Sequence, residues 1–223
     1  MDTRYRGDIV SAAGRRNAWL DALFIDHAVF RLAWTNFSTV VPGRFYRSNH
    51  PTPAKLALFA RRHGIRTLLN LRGQCGNGAD ALSREAARRL HMQFVDIPLQ
   101  SSRAPPRALV LDLVAAIRNS PEPILAHCKS GADRAGFAAA VFLLLNGASV
   151  ADAMRQLSLR YGHLRHSRTG ILDRFFERFA ADGESRVAFD VWVATRYDPA
   201  TLPAGVPTRP IARVLNDHVL RRE

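Results

Sequence analysis

Ile124-Leu125-Ala126-His127-Cys128-Lys129-Ser130-Gly131-Ala132-Asp133-Arg134-Ala135-Gly136 is the stretch that decides how the rest of the chain is read. Its first residues form a short apolar run entered through Pro121 and Pro123, the pattern of a buried strand bounded by turn residues. From Ala135 small and apolar residues continue to Asn146-Gly147, the pattern of a buried helix with a stop signal. A strand that enters a helix through a small-residue loop points successive backbone N–H groups into one concavity. The positive end of the helix adds to them, and the result is an anion cradle. The N–H groups would come from Lys129, Ser130, Gly131, Ala132 and Asp133, and Gly131 permits a close approach that a side chain would block. Arg134 can close the cradle with two parallel bonds to phosphate oxygens. Cys128, at the bottom of this positive hollow, is then a stabilised thiolate and a competent nucleophile, and His127 is placed to hold the arrangement by hydrogen bonding. The alternative for such a cysteine is an inert core residue at a strand end.

Upstream, strand-length runs alternate with helices. Arg44–Arg47 follows Pro42-Gly43. Pro51 and Pro53 open a helix over 53–63 that Gly64 closes. Ile65–Leu71 reads as a buried strand and Gly73, Gly76 and Gly78 as a flexible loop. A helix over 79–91, a strand over Met92–Leu99 and a helix from Pro105-Pro106 to Asn119 complete the series. This alternation predicts an α/β fold with a central, mostly parallel sheet of about four to five strands flanked by helices. Downstream, helices are expected at 135–146, 149–160 (Ser149 as N-cap), 170–181 and about 185–195. Residues 17–38 read as a helix or broken helix with a broad aromatic and aliphatic face, following a basic arm. The expected organisation is an arm and accessory helix over 1–43, one domain over 44–198 and a tail over 199–223.

The chain has 223 residues, 47% hydrophobic and 23% charged, which excludes wholesale disorder. Two cysteines, Cys75 and Cys128, and no Cys/His cluster at zinc spacing argue against a disulfide scaffold or a zinc module. The net charge is +13, and all basic residues except Lys55 and Lys129 are arginine. A preference for arginine over lysine accounts for part of this. An anionic partner is the sharper reading: a phosphorylated substrate, a lipid surface or nucleic acid. No motif or aromatic-basic interleaving supports nucleic acid. No spanning helix or signal peptide is read, so the expected location is cytoplasmic. Peripheral contact with the inner membrane face through the N-terminal helix stays open.

His127, Cys128 and Arg134 together resemble the His-Cys-x5-Arg signature of the cysteine-dependent protein tyrosine phosphatase superfamily. Lys-Ser-Gly-Ala-Asp-Arg (129–134) resembles the compact dual-specificity and lipid-phosphatase branches. Phe45-Tyr46-Arg47-Ser48, Pro51 and Gly64–Arg72 resemble the N-terminal half of small bacterial and fungal members, so the likeness spans about 44–181. It implies a two-step phosphomonoesterase with no metal or cofactor. Cys128 attacks phosphorus, Arg134 and the loop N–H groups hold the oxygens, and water hydrolyses the phosphocysteine. Implied substrates are phosphotyrosine or phosphoserine protein, a phosphorylated lipid, or inositol polyphosphate or pyrophosphate.

Two positions depart from the family pattern. Many members carry a serine or threonine after the arginine to support the leaving thiolate; here it is Ala135. The loop after Met92–Leu99 usually carries an acidic residue, yet Gln100-Ser101-Ser102-Arg103 has none. Asp133 is the better candidate for general acid, as in myotubularins, with orienting the loop as its alternative role. A catalytically weak or inactive phosphate-binding protein is the second functional class. Asn70 and Arg72 end a strand at the edge where such sheets place their sites, and are candidates to touch substrate or loop. Arg160, His163, Arg165, His166 and Arg168 form a basic cluster, read either as a site for a second phosphate or a lipid surface or as a solvated loop. Cys75 is either a free loop thiol or a disulfide partner of Cys128.

Overall fold

The apolar run that ends in Cys128 forms the middle strand of a five-stranded sheet. The computed structural model describes residues 5–26, 34–184 and 186–202. Its elements are α1 (Ala12–Leu20), β1 (Ser38–Val41), β2 (Phe45–Asn49), α2 (Pro53–His63), β3 (Thr67–Asn70), α3 (Gly78–Arg89), β4 (Gln93–Asp96), α4 (Arg107–Asn119), β5 (Ile124–Cys128), α5 (Asp133–Leu145), α6 (Val150–Met154), α7 (Ile171–Asp182) and α8 (Phe189–Thr195). The strand order is β1-β2-β5-β3-β4, with β1 antiparallel and the other pairings parallel. β5 is flanked on both edges and covered on both faces, so all of it is buried, as an apolar parallel strand must be.

Side chains alternate across the sheet and sort two cores. Phe45, Leu69, Ala126 and Cys128 face α4, α5, α7 and α8, with Phe137, Phe175, Phe176 and Trp192. Tyr46, Leu68 and Leu125 face α2 and α3, with Leu56, Phe59 and Ala87. The helix ends follow local chemistry. Thr52 caps α2 with Pro53 in its first turn, and Gly64 ends it in the left-handed conformation, φ 65°. Asn77 caps α3 and Ser149 caps α6. Tyr197 Oη donates to the Pro105 carbonyl at 2.7 Å and ties the segment after α8 to the loop before α4.

The N-terminal region departs from expectation. The helix expected over 17–38 is instead α1, starting at Ala12, followed by a π-helical turn at Asp21–Ile25. Residues 27–33 lie outside the described residues. Asn36 has φ 45°, which stops any helix, and the β-branched run Thr39-Val40-Val41 then pairs with β2. The sheet therefore begins before the expected boundary at 43. Part of the N-terminal segment packs on α3, where Ala18 and Ala22 meet Ala79 and Leu82 with Tyr5, Ile9 and Trp19 around them, while Phe24 and Trp34 are exposed. Among the described residues no helix is long and apolar enough to cross a membrane. The helix expected over 149–160 stops at Met154, and a 3-10 turn follows at Leu159–Tyr161.

Candidate active site

Residues 129–132 link the end of β5 to the start of α5, and three donor groups outside the loop hold their four carbonyl groups. The His50 N–H donates to Lys129 O at 3.4 Å, and the Asn36 side-chain amide donates to Ser130 O at 3.0 Å. One guanidinium nitrogen of Arg47 donates to both Gly131 O (2.7 Å) and Ala132 O (2.9 Å). In a trans peptide the N–H points opposite to the C=O. Carbonyls drawn outward therefore turn the N–H groups of Ser130, Gly131, Ala132 and Asp133 inward. The Gly131 N–H lies 3.2 Å from Cys128 Sγ. Gly131 has φ +76°, and a Cβ there would come within 2.6 Å of the Asn49 backbone nitrogen, so no other residue fits this close approach. α5 begins without a side-chain cap, which leaves its first-turn N–H groups to the cradle.

Arg47 is the residue that the sequence did not single out. It is fully buried. Its second nitrogen donates to the Gln156 carbonyl at 2.6 Å and side chain at 3.0 Å, and its guanidinium lies 3.9 Å from the Tyr161 ring centroid. Burial pulls it down to about 10, partly offset by Tyr161, Cys128 and Asp133, so it stays charged at neutral pH. A cation thus stands behind the loop. No local pattern marks it among thirty arginines; its role is set by a pairing in space between β2 and β5.

Cys128 is 1% exposed, Asp133 3% and Arg134 6%, and all three flank the loop. Arg134 Nη1 is 3.4 Å from the Leu99 carbonyl, in the loop after β4. The Asp133 carboxylate is 2.7 Å from His163 Nδ1, whose Nε2 is 2.7 Å from Asp173. His163 was expected in a basic surface cluster. It is instead buried between two acids, while Arg165, His166 and Arg168 are exposed.

Residues 34–169, more than half of the chain, match the family described as Swiss Army Knife protein, DSP-PTPase phosphatase domain. The chain belongs to that family. It is a compact dual-specificity-like member of the cysteine-dependent protein tyrosine phosphatase superfamily. The crystal structure of TpbA from P. aeruginosa is similar with a TM-score of 0.53 at 22% identity, over 72% of this chain and 92% of that one. The core catalytic domain of the PP-IP phosphatase SIW14 from S. cerevisiae is similar with a TM-score of 0.51 at 20% identity, over 67% and 93%. At these identities the likeness is one of fold. No curated protein sequence matches.

The phosphatase domain gathers Cys128, Lys129, Ser130, Gly131, Ala132, Asp133 and Arg134, but not the other three candidates. His127 precedes Cys128 on a strand, so its side chain leaves the opposite face, where it meets the His50 ring edge-on at 4.7 Å. Arg72 lies just after β3. Its guanidinium pairs with Asp26 at 2.7 and 3.0 Å and lies 3.2 Å from His50 Nδ1. Asn70 binds Gly73 O at 2.9 Å and Asp96 at 2.8 Å, closing the turn after β3. With His50, Asp26 and Asp96 these residues form a buried polar cluster beside the signature loop. Asn36, Arg47 and Asp173 are functional candidates that the sequence reading missed, and His163, read there as part of a basic cluster, has a different place. Cys75 and Cys128 are free thiols.

Proposed function

We propose that the protein hydrolyses phosphomonoesters through a phosphocysteine intermediate, on a phosphorylated protein or a phosphorylated lipid. The observation that carries this reading is the set of four loop carbonyls tied outward, with their N–H groups turned toward the side of Cys128. An incoming dianion meets preorganised donors there, and Arg134 supplies a planar fork for two of its oxygens. Sγ attacks phosphorus, the P–O bond to the leaving group breaks, and Asp133 protonates the departing oxygen. In the second step water attacks phosphorus, Asp133 takes up a water proton, the P–S bond breaks and the thiolate returns. The Gly131 N–H on Sγ supports that thiolate where Ala135 offers no hydroxyl. Lys129, half-buried at the start of the loop, favours a polyanionic head group over a lone phosphotyrosine.

Phosphate release decides the matter, measured over p-nitrophenyl phosphate, phosphopeptides, phosphoinositides and an inositol pyrophosphate. The last is included because a PP-IP phosphatase shares the fold. Wild type is expected to release phosphate, and Cys128→Ser to lose turnover at least about a thousandfold while still binding orthovanadate. Undiminished turnover by Cys128→Ser removes the nucleophile assignment. Wild type that binds vanadate yet turns over none of the panel is a phosphate-binding protein instead, the outcome that Ala135 favours.

A further inference from the structure

The chain that runs from Asp133 through His163 to Asp173 joins three segments: the start of α5, the stretch after the 3-10 turn at Leu159–Tyr161, and the start of α7. Every member is buried, with Asp133 at 3%, His163 at 1% and Asp173 at 2% exposure. Both contacts are 2.7 Å, short enough for charge-assisted hydrogen bonds. An ionised carboxylate only accepts. Two of them on one imidazole require both ring nitrogens to donate, which makes the ring a cation, and when Asp133 carries the proton for the leaving oxygen that proton is on Oδ2, so Oδ1 still accepts from the ring. The facing charges agree. Asp133 and Asp173 are the acids on the ring, Arg47 stands near Asp133 from the β2 side together with Cys128, and Tyr161 covers the Arg47 guanidinium. A histidine placed only to fill space would need neither acid, and two acids buried beside a neutral ring would repel each other.

We propose that His163 is the positioning residue of the proton-transfer step: an imidazolium, held in place by Asp173, that fixes Asp133 and stabilises the carboxylate left when Asp133 gives its proton to the leaving oxygen. This inference rests on the phosphatase reading above. The proton leaves one Asp133 oxygen for the leaving group and returns from the attacking water. His163 keeps both ring protons throughout, so the cycle balances. Asp173 never approaches the substrate. Its work is to hold the ring at the angle Asp133 needs and to keep it charged. Burial alone would pull the imidazole down; the hydrogen bonds and charges of Asp133 and Asp173 outweigh that and hold it above its ordinary value.

The test compares phenyl phosphate, a poor leaving group, with p-nitrophenyl phosphate, a good one, across pH for wild type and His163→Gln. An acid robbed of a neighbouring cation keeps its proton to higher pH. The descending limb of kcat/KM on phenyl phosphate should therefore move up by about one unit or more. The preference for the p-nitrophenyl ester should grow about tenfold or more. A limb that stays in place, or equal losses on both esters, overturns the proposal, since a merely structural histidine would lower both alike. Nitrogen-15 NMR of the wild-type ring keeps the question open to decision if His163→Gln fails to fold. Both ring nitrogens should be protonated at pH 7, and a neutral ring there overturns the proposal. No turnover of either ester by wild type brings down the phosphatase reading and this inference with it. Turnover with an unmoved limb brings down the inference alone.

Discussion

Arg47 shows how far one side chain can govern a loop it does not belong to. One arm of its fork holds two successive loop carbonyls and the other holds Gln156, so its removal frees two peptide planes that otherwise aim donors at the cradle. Lysine keeps the charge and loses the fork. Arg47→Lys is therefore expected to lower kcat/KM about a hundredfold or more. It is also expected to cost about 2 kcal/mol or more, because buried carbonyls lose their donor. Steady-state kinetics and urea denaturation check both, and near-wild-type values for both would remove the clamp. Cys128, Gly131 and Arg134 were legible because strand, loop and helix are contiguous in sequence. Arg47, Asn36 and His163 were not. They lie 84, 94 and 30 positions from their loop partners, and nothing local tells a clamping arginine from a solvated one. Asp133 was legible by its place beside Arg134, but its partner His163 looked like part of a basic surface.

Elements were read well where local signals agree with tertiary demand, and poorly where the sheet overrode them. α2 begins at proline and ends at glycine, as the sequence indicates. β1 was hidden inside an aromatic run because the edge of β2, which gives Ser38–Val41 its partner, exists only in the folded chain. The N-terminal segment reads as a basic arm and an accessory helix, and three polar contacts fasten it to the domain. Asp26 pairs with Arg72, with side chains 3% and 2% exposed, Asp21 accepts the Gly78 N–H at 2.7 Å, and Arg15 pairs with Glu85. Asp26→Asn keeps the shape and leaves a buried guanidinium without its charge partner. It is expected to cost about 3–5 kcal/mol, read as a lower urea midpoint. Because neither residue takes part in the proposed chemistry, kcat of the folded variant should change little. A large loss of kcat at unchanged stability would place Arg72 in the site after all.

Over the whole molecule, the acidic and alkaline ends of the stability profile belong to different places. The Arg15 hydrogen bond to Glu85, and those of Ser11 and Val10 to Asp8, hold these carboxyls below their ordinary 4.5 and 3.8. Their contribution is present above those values and disappears only as pH falls through the folded ones. The His163 network works in the opposite direction. The folded ring binds a proton that the unfolded chain releases above about 6.5, so its stabilisation is full below that pH and is lost as pH rises through the raised folded value. The urea midpoint should therefore decline from pH 6 toward pH 9 in wild type. Asp173→Asn removes one of the two acids that hold the proton, so its midpoint should decline less over the same range. Parallel profiles for the two proteins would show that the ring does not carry the extra proton. The +13 net charge is a different matter. It is spread mostly over exposed arginines and screened by salt, so raising the ionic strength should leave the difference between the two profiles in place while shifting both.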